Sequence, residues 1–143
     1  MSLLDQIKQR FGARPGASVT PPAEPAAEEP EPPETPIPEV SARDLLAELS
    51  SGPTPVFLDC RESYERRQGY IPGSIHIPMN TIPGRLDELE RAAPIVVYCA
   101  HGNRSFGVAG WLNARGYRTR SLRGGIVEWQ RGGGAIEKPG AGT

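Results

Sequence analysis

Short apolar runs alternate with amphipathic segments over residues 39–139, and the alternation predicts a succession of strands and helices. The strongest run, PIVVY at residues 94–98, is uninterrupted and β-branched, as buried strands are. A second short apolar run of this type is PVFLD at residues 55–59. Two weaker strands are predicted at residues 75–77 and at YRTRSL, residues 117–122.

Segments with helical spacing of their apolar residues lie between these strands. In SARDLLAELSSG, Ser41 and Asp44 are suited to the start of a helix and Gly52 to its end. Four further helices are predicted, namely RESYERRQG (61–69), IPGRLDELERA entered at Pro83 (82–92), SFGVAGWLNARG (105–116) and GIVEWQRGGG (125–134). Because strands alternate with helices, we expect an α/β domain whose parallel sheet is covered by helices on both faces.

The composition changes in front of residue 39. Nine of the 16 prolines lie within residues 15–38, where glutamate is frequent and Lys and Arg do not occur. Such a segment buries too little apolar surface to offset its ordering entropy, so residues 14–38 are predicted to be a disordered Pro/Ala/Glu-rich linker. Residues 1–13 contain SLLDQIKQRFG, whose large apolar residues have helical spacing. A short amphipathic helix is predicted there, as either a frayed tail or a docking segment.

Charge and hydropathy exclude several classes of protein. The 143 residues carry a formal net charge of -1, so we expect no nucleic-acid partner. No run approaches the roughly 20 apolar residues of a membrane span, and the N-terminus lacks the apolar core of a secretory signal. We therefore expect a cytoplasmic protein without a transmembrane segment. Cys60 and Cys99 form no disulfide framework, although a bridge between two strand ends remains open.

One loop combines several features of a reactive site. Cys99 directly follows the strongest strand, and ligands of open parallel sheets bind at the carboxyl ends of strands. The loop then leads into a helix near Arg104, where converging backbone N–H groups can form an anion cradle. Gly102 and Asn103 accept the left-handed backbone that such a curl requires. We expect this setting to lower the pKa of the Cys99 thiol, whose thiolate is the reactive form. The alternative is a packed structural cysteine.

Three motifs make the sequence resemble the rhodanese family across nearly all of residues 40–138. They are LDCRESYERRQGYIPGSIHIP, IVVYCAHGNRS and LRGGIVEWQ. The resemblance implies a small doubly wound α/β domain around a central parallel sheet of about five strands. It also implies sulfur chemistry that uses neither a metal nor another cofactor. In this chemistry the loop cysteine takes the outer sulfur of a small anion such as thiosulfate and passes it to cyanide, a thiol or a protein acceptor.

Carried onto this chain, the resemblance assigns roles residue by residue. Cys99 is the nucleophile and persulfide carrier, and Arg104 closes its loop. The persulfide-binding loop comprises Ala100, His101, Gly102, Asn103, Arg104 and Ser105. Asp59 and Arg61 lie at the end of another strand, where we assign them a supporting ion pair and no catalytic step. We interpret the neighbouring Cys60 as a packed free thiol in preference to a resolving partner.

Two other functions compete with sulfur transfer. Phosphatases of related folds place five residues between the loop cysteine and arginine, whereas four separate Cys99 from Arg104, and no obvious aspartic general acid lies in the loop. We therefore expect no phosphatase activity. A non-catalytic rhodanese-like binding module, tethered by the N-terminal arm, is the stronger alternative. The retained Cys99 and Arg104 favour the enzyme, while the physiological donor, the acceptor and the oligomeric state stay unassigned.

Overall fold

The computed structural model describes residues 36–140, which belong to a compact unit, Thr35–Thr143. The helix predicted at residues 1–13 and nearly all of the linker predicted at residues 14–38 lie outside the described residues. The last residues of the predicted linker contact the domain, because Ile37 packs against its core. Across residues 36–140, every helix is too short or too polar to cross a membrane.

Five parallel strands form one sheet. They are β1 (Glu39–Ser41), β2 (Val56–Asp59), β3 (Ile75–His76), β4 (Pro94–Tyr98) and β5 (Arg118–Arg123). Their spatial order is β1-β5-β4-β2-β3, and every pairing is parallel. The expected parallel α/β sheet is therefore confirmed. Strand β1 was not predicted, since it has only three residues and Val40 is its one buried apolar side chain. It exists through its pairing with β5.

Within residues 36–140, three α-helices lie between strands and a fourth follows β5. They are α1 (Ala42–Ser51), α2 (Ser63–Arg66), α3 (Asn103–Asn113) and α4 (Gly125–Arg131). The predicted start of α1 is confirmed, because the Ser41 hydroxyl oxygen accepts the N–H of Asp44 at 3.0 Å. The α-helix predicted after Pro83 is wrong. Two 3-10 helices, Met79–Gly84 and Leu86–Glu88, occupy this region, because Pro83 lacks an amide donor and disfavours the α conformation before it.

Strand β4 shows how both faces of the sheet are buried. Ile95 and Val97 pack in a core cluster with α3 and the two 3-10 helices, whereas Val96 and Tyr98 pack in the opposite cluster with α1 and α4. All four side chains are at most 1% exposed. Cys99 follows β4 and continues the first cluster. Helices cover both faces of the sheet. Cys99 therefore lies at the carboxyl edge of the sheet, next to the loops that follow the strands.

Candidate functional site

The loop after β4 directs two backbone amides at the Cys99 sulfur. Sγ of Cys99 accepts the N–H of Gly102 at 3.2 Å and the N–H of Ser105 at 3.3 Å. Gly102 has φ +97°, and a Cβ at this position would lie 2.9 Å from the backbone nitrogen of Gly124. Asn103 is already the first residue of α3, so Gly102 alone makes the left-handed turn expected of both residues. The sulfur therefore sits at the N-terminal end of α3.

The first turn of α4 holds the other side of the loop. Ile126 donates its N–H to the carbonyl oxygen of Cys99 at 2.9 Å, and Val127 donates to that of Ala100 at 3.2 Å. This close approach requires Gly125, whose φ is +63° and whose Cβ would lie 2.3 Å from the Ala100 carbonyl oxygen. The second glycine of the LRGGIVEWQ motif thus lets α4 clamp the cysteine loop.

A buried pair of hydroxyl groups extends the contacts of Cys99. Ser105 Oγ lies 3.5 Å from the Cys99 sulfur and 2.7 Å from Ser121 Oγ, and both serines are 0% exposed. Ser121 lies on β5 in register with Val97 of β4. Sequence reasoning missed Ser121, because no local signal shows that a serine of the last strand reaches the loop after β4.

The second cysteine lies beside the first. Cys60 follows β2 and Cys99 follows β4, two neighbouring strands in which Asp59 is in register with Tyr98. Cys60 and Cys99 are 0% and 1% exposed and share one core cluster. The structure thus brings together two thiols that lie 39 positions apart in the sequence.

Their contact gives the two thiols opposite pKa shifts. A hydrogen bond from Cys60 is the largest influence on Cys99, whose pKa is lowered to about 4. Burial opposes this shift, while the Ser105 hydroxyl and the Ser105 and Gly102 amides reinforce it. The same contact with Cys99, together with burial, raises the pKa of Cys60. These opposite shifts favour a thiolate at Cys99 and a protonated thiol at Cys60. The direction for Cys99 agrees with the expectation from the loop, but its largest cause was not foreseen.

Arg104 connects the cysteine loop to α2. Its Nη1 and Nη2 bind the two carboxylate oxygens of Glu65 at 2.8 and 2.9 Å, and the side chains are 33% and 12% exposed. The hydrogen bond from Arg104 lowers the pKa of Glu65 to about 2, against a smaller effect of burial. Sequence reasoning missed this partner. Glu65 is recognisable as the second residue of a capping box with Glu62, but nothing local indicates its reach to Arg104.

Asp59 and Arg61 form the expected ion pair beneath the loop that follows β2. Arg61 Nε and Nη2 donate to the Asp59 carboxylate at 2.8 and 2.9 Å, and Nη2 also donates to the Gly69 carbonyl at 2.7 Å. The hydroxyl of Tyr98 donates to the same carboxylate at 3.2 Å. Asp59 is 0% and Arg61 4% exposed, so the paired charges are buried. The network braces this loop beside the site.

The remaining predicted loop residues lie at the surface. Ala100 is half-buried, and the side chains of His101 and Asn103 are exposed, with no hydrogen bond to the Cys99 sulfur within the described part of the chain. No group of three or more His, Cys, Asp or Glu residues within 36–140 has the arrangement of a metal site.

Comparison with known proteins assigns the family. The family description "Rhodanese-like domain" matches residues 41–132, which is more than half of the chain. The chain belongs to the rhodanese-like family. All residues placed at the site, from Asp59 to Val127, fall inside the matched segment. The candidate site therefore lies within the rhodanese-like domain.

Relatives of this rhodanese-like domain include proteins named as sulfurtransferases. A sulfurtransferase of Allochromatium vinosum is 35% identical over 102 residues, which cover 71% of this chain and 95% of that protein. The thiosulfate sulfurtransferase GlpE of Tolumonas auensis is 31% identical over 85 residues, covering 59% of this chain and 80% of that protein. These names support sulfur-transfer activity in general.

Solved structures support the fold. A rhodanese-related protein of Thermoplasma volcanium has a TM-score of 0.64 at 32% identity, covering 70% of this chain and 97% of that chain. A rhodanese-like domain protein of Staphylococcus aureus has a TM-score of 0.65 at 29% identity, covering 71% of this chain and all of that one. The rhodanese-like fold expected from the three sequence motifs is confirmed.

The candidate site combines an acidic thiol with hydrogen-bond donors for an anion. The Cys99 sulfur is anionic above the low pKa of its thiol and is held by two amides, while Arg104 contributes a permanent positive charge nearby. A thiolate is a strong nucleophile towards sulfur. The arrangement can therefore attack a sulfur atom and hold the anion that results.

Proposed function

We propose that this chain is a sulfurtransferase that carries sulfane sulfur as a persulfide on Cys99. The donor is thiosulfate or another persulfide, and the acceptor is cyanide, a thiol or a protein. The observation that carries the proposal is the Cys99 sulfur at the end of β4, which accepts the amides of Gly102 and Ser105. Cys60, Ser105 and Gly102 lower the pKa of its thiol. The relatives named as sulfurtransferases and as a thiosulfate sulfurtransferase support the reaction class.

Loading is a nucleophilic displacement at the outer sulfur of the donor. The Cys99 thiolate attacks that atom, the sulfur–sulfur bond of thiosulfate breaks, and sulfite leaves with the electron pair. Cys99 is then a persulfide with one negative charge on its outer sulfur. The near-complete burial of Cys99, which is 1% exposed, favours donors that present a single terminal atom.

The loop has further donors for the outer sulfur. The N–H groups of His101, Asn103 and Arg104 donate to no residue of the described chain. They belong to the same loop and helix start as the two amides already on the Cys99 sulfur, where the helix dipole also favours an anion. We assign these three amides to the persulfide and to the charge that develops during transfer.

The state of the cysteines supports a reducing compartment. Cys60 and Cys99 are both free, although they lie side by side. A pair of adjacent free thiols suits the cytoplasm, where thiols are kept reduced. The cytoplasmic placement expected from the sequence remains our proposal on this basis.

Intact mass tests the proposed function directly. After incubation with thiosulfate and removal of excess donor, the protein is expected to gain about 32 Da, the mass of one sulfur atom, and cyanide is expected to remove it as thiocyanate. Stoichiometric release of thiocyanate is the matching solution measurement. If no sulfane donor adds this mass, the non-catalytic binding module replaces the enzyme as the best interpretation.

Arg104→Lys tests the ion pair that joins the loop to α2. Lysine keeps the charge but cannot bind both oxygens of Glu65 in the planar two-pronged geometry of arginine. Sulfur transfer is expected to fall by at least about tenfold, roughly 1.4 kcal/mol of transition-state stabilisation. Because the pair is partly exposed, the free energy of unfolding should change by less than about 1 kcal/mol.

Glu65→Gln separates two explanations of that loss. It leaves the charge of Arg104 intact but weakens the contact between α2 and the cysteine loop. We expect a loss of transfer rate similar to that of Arg104→Lys. Unchanged kinetics in Arg104→Lys would contradict a role of this arginine in transfer. A full rate in Glu65→Gln alone would show that the guanidinium group acts through a contact other than its pair with Glu65.

A further inference from the structure

The thiol of Cys60 has two acceptors within reach. Its sulfur lies 3.4 Å from the carbonyl oxygen of Tyr98, and Cys99, which follows the neighbouring strand β4, lies in the same buried cluster. A thiol has one proton and can donate it to only one of these acceptors at a time. Which acceptor it serves depends on the charge of the Cys99 sulfur.

The Cys60 S–H can turn from one acceptor to the other at a small cost in free energy. The Tyr98 carbonyl already accepts the backbone N–H of Cys60 at 3.1 Å, so it keeps a partner when the thiol turns away. An anionic sulfur is a stronger acceptor than a carbonyl oxygen. Both sulfurs are buried, and water therefore does not weaken the contact.

We propose that Cys60 is a catalytic hydrogen-bond donor whose S–H follows the charge on Cys99. It binds the Cys99 sulfur when that atom is a thiolate and turns to the Tyr98 carbonyl when Cys99 carries the outer sulfur. The inference rests on the proposed function, because it assigns Cys60 a part in the transfer step. It replaces the interpretation of Cys60 as a packed thiol without a role.

The largest effect of this donor is on discharge of the persulfide. An acceptor such as cyanide attacks the outer sulfur, the sulfur–sulfur bond breaks, and its electron pair returns to the Cys99 sulfur. Negative charge then develops on the atom next to Cys60, so the S–H stabilises the leaving thiolate. Thiols of lower pKa attack more slowly, with a sensitivity of about 0.4–0.5, and leave faster. We take a similar sensitivity for the leaving sulfur. Cys60 therefore accelerates discharge at the expense of loading.

Cys60 remains protonated while it performs this role. The hydrogen bond to Cys99, burial and the negative charges of Cys99 and Asp59 raise its pKa, whereas Arg104 of α3 acts in the opposite direction. Glu65 of α2 faces the site through its ion pair with Arg104. No deprotonation of Cys60 enters the reaction, which distinguishes it from a resolving cysteine that forms a disulfide.

Three substitutions of Cys60 test the proposal. Cys60→Ser keeps a donor, Cys60→Ala removes it and leaves a small cavity, and Cys60→Val removes it while filling the space. Thermal denaturation shows which variants remain folded. Since Ala and Val differ in packing but share the lost donor, an effect common to both belongs to the hydrogen bond.

The first measurement is the pH dependence of Cys99 alkylation by iodoacetamide, followed by intact mass. Alkylation of the wild type is expected to have its midpoint near pH 4, because the thiolate exists above that pKa and is lost below it. In Cys60→Ala and Cys60→Val the midpoint should rise by at least about one pH unit. Cys60→Ser should stay close to the wild type. An unchanged midpoint in the Ala and Val variants would overturn the proposal.

The second measurement is single-turnover kinetics at pH 8. Cyanide discharge should slow about threefold for each unit by which the pKa rises, whereas loading by thiosulfate should not slow, since Cys99 remains ionised. Equal slowing of both steps would overturn the proposal, as would a mass loss of about 2 Da after turnover, which signifies a disulfide. The alkylation measurement needs no sulfur transfer. If the alkylation midpoint depends on Cys60 but the protein never gains sulfur, the role of Cys60 as a hydrogen-bond donor is supported and the proposed sulfurtransferase function is refuted.

Discussion

Cys99→Ser is expected to abolish sulfur loading completely. The serine hydroxyl is close in size to the thiol but is not ionised near neutral pH, so the two loop amides have no thiolate to hold and no persulfide can form. Folding should survive. Intact mass after thiosulfate is expected to show no gain, compared with about 32 Da for the wild type.

Cys60→Ser is the matched control, because it alters the adjacent buried thiol in the same way. This variant should still gain one sulfur, since the amides of Gly102 and Ser105 remain on Cys99. Loading that persists in Cys99→Ser, or that disappears only in Cys60→Ser, would place the carrier on Cys60 and contradict the mechanism.

Gly125→Ala is expected to have the largest effect on the fold around the site. A Cβ at this position would lie 2.3 Å from the Ala100 carbonyl oxygen and 2.5 Å from that of Cys99, and both atoms belong to the backbone. The φ of +63° adds the strain of a left-handed alanine. We expect the free energy of unfolding to fall by about 3 kcal/mol or more, and loading to fall with it, because the loop must move away from α4.

Gly73→Ala is the control for backbone strain alone. Gly73 also has a positive φ, +81°, but nothing lies within 4 Å of its Cβ position. This variant should lose about 1 kcal/mol in a denaturant titration and should retain loading. Equal losses in the two variants would show that steric contact with the loop after β4 is not what requires Gly125.

The fold was predictable to the extent that its signals are local. Apolar runs of four or five residues located β2 and β4, and a serine followed three residues later by aspartate located the start of α1. Pro83 was interpreted as the start of an α-helix, although it lies inside a 3-10 helix. The helical spacing of the apolar residues in this segment did not reveal that Pro83 lacks a backbone N–H. Strand β1 carried no comparable signal, since its pairing partner lies some 80 residues later in the chain.

The candidate site divides in a similar way. A strand end, a glycine in a short loop and a helix start are consecutive in the sequence, and together they predicted the direction of the Cys99 pKa. Glu65, Cys60 and Ser121 belong to other elements, so none of them could be assigned to Cys99 or Arg104 from spacing along the chain. Cys60 has the largest influence on the pKa of Cys99, Ser121 contacts the hydroxyl of Ser105, and Glu65 holds Arg104 in position.

By itself the sequence determined the alternation of strands and helices, the cysteine at the end of the strongest strand and the glycine that turns its loop, because these depend on neighbours within a few residues. Only the tertiary structure decided which side chains surround that cysteine. The sheet order places β2 and β5 on either side of β4, and this brings Cys60 and Ser121 to the same sulfur environment. Contacts between elements distant in sequence arise from packing of the whole domain, and no local pattern of residues encodes them.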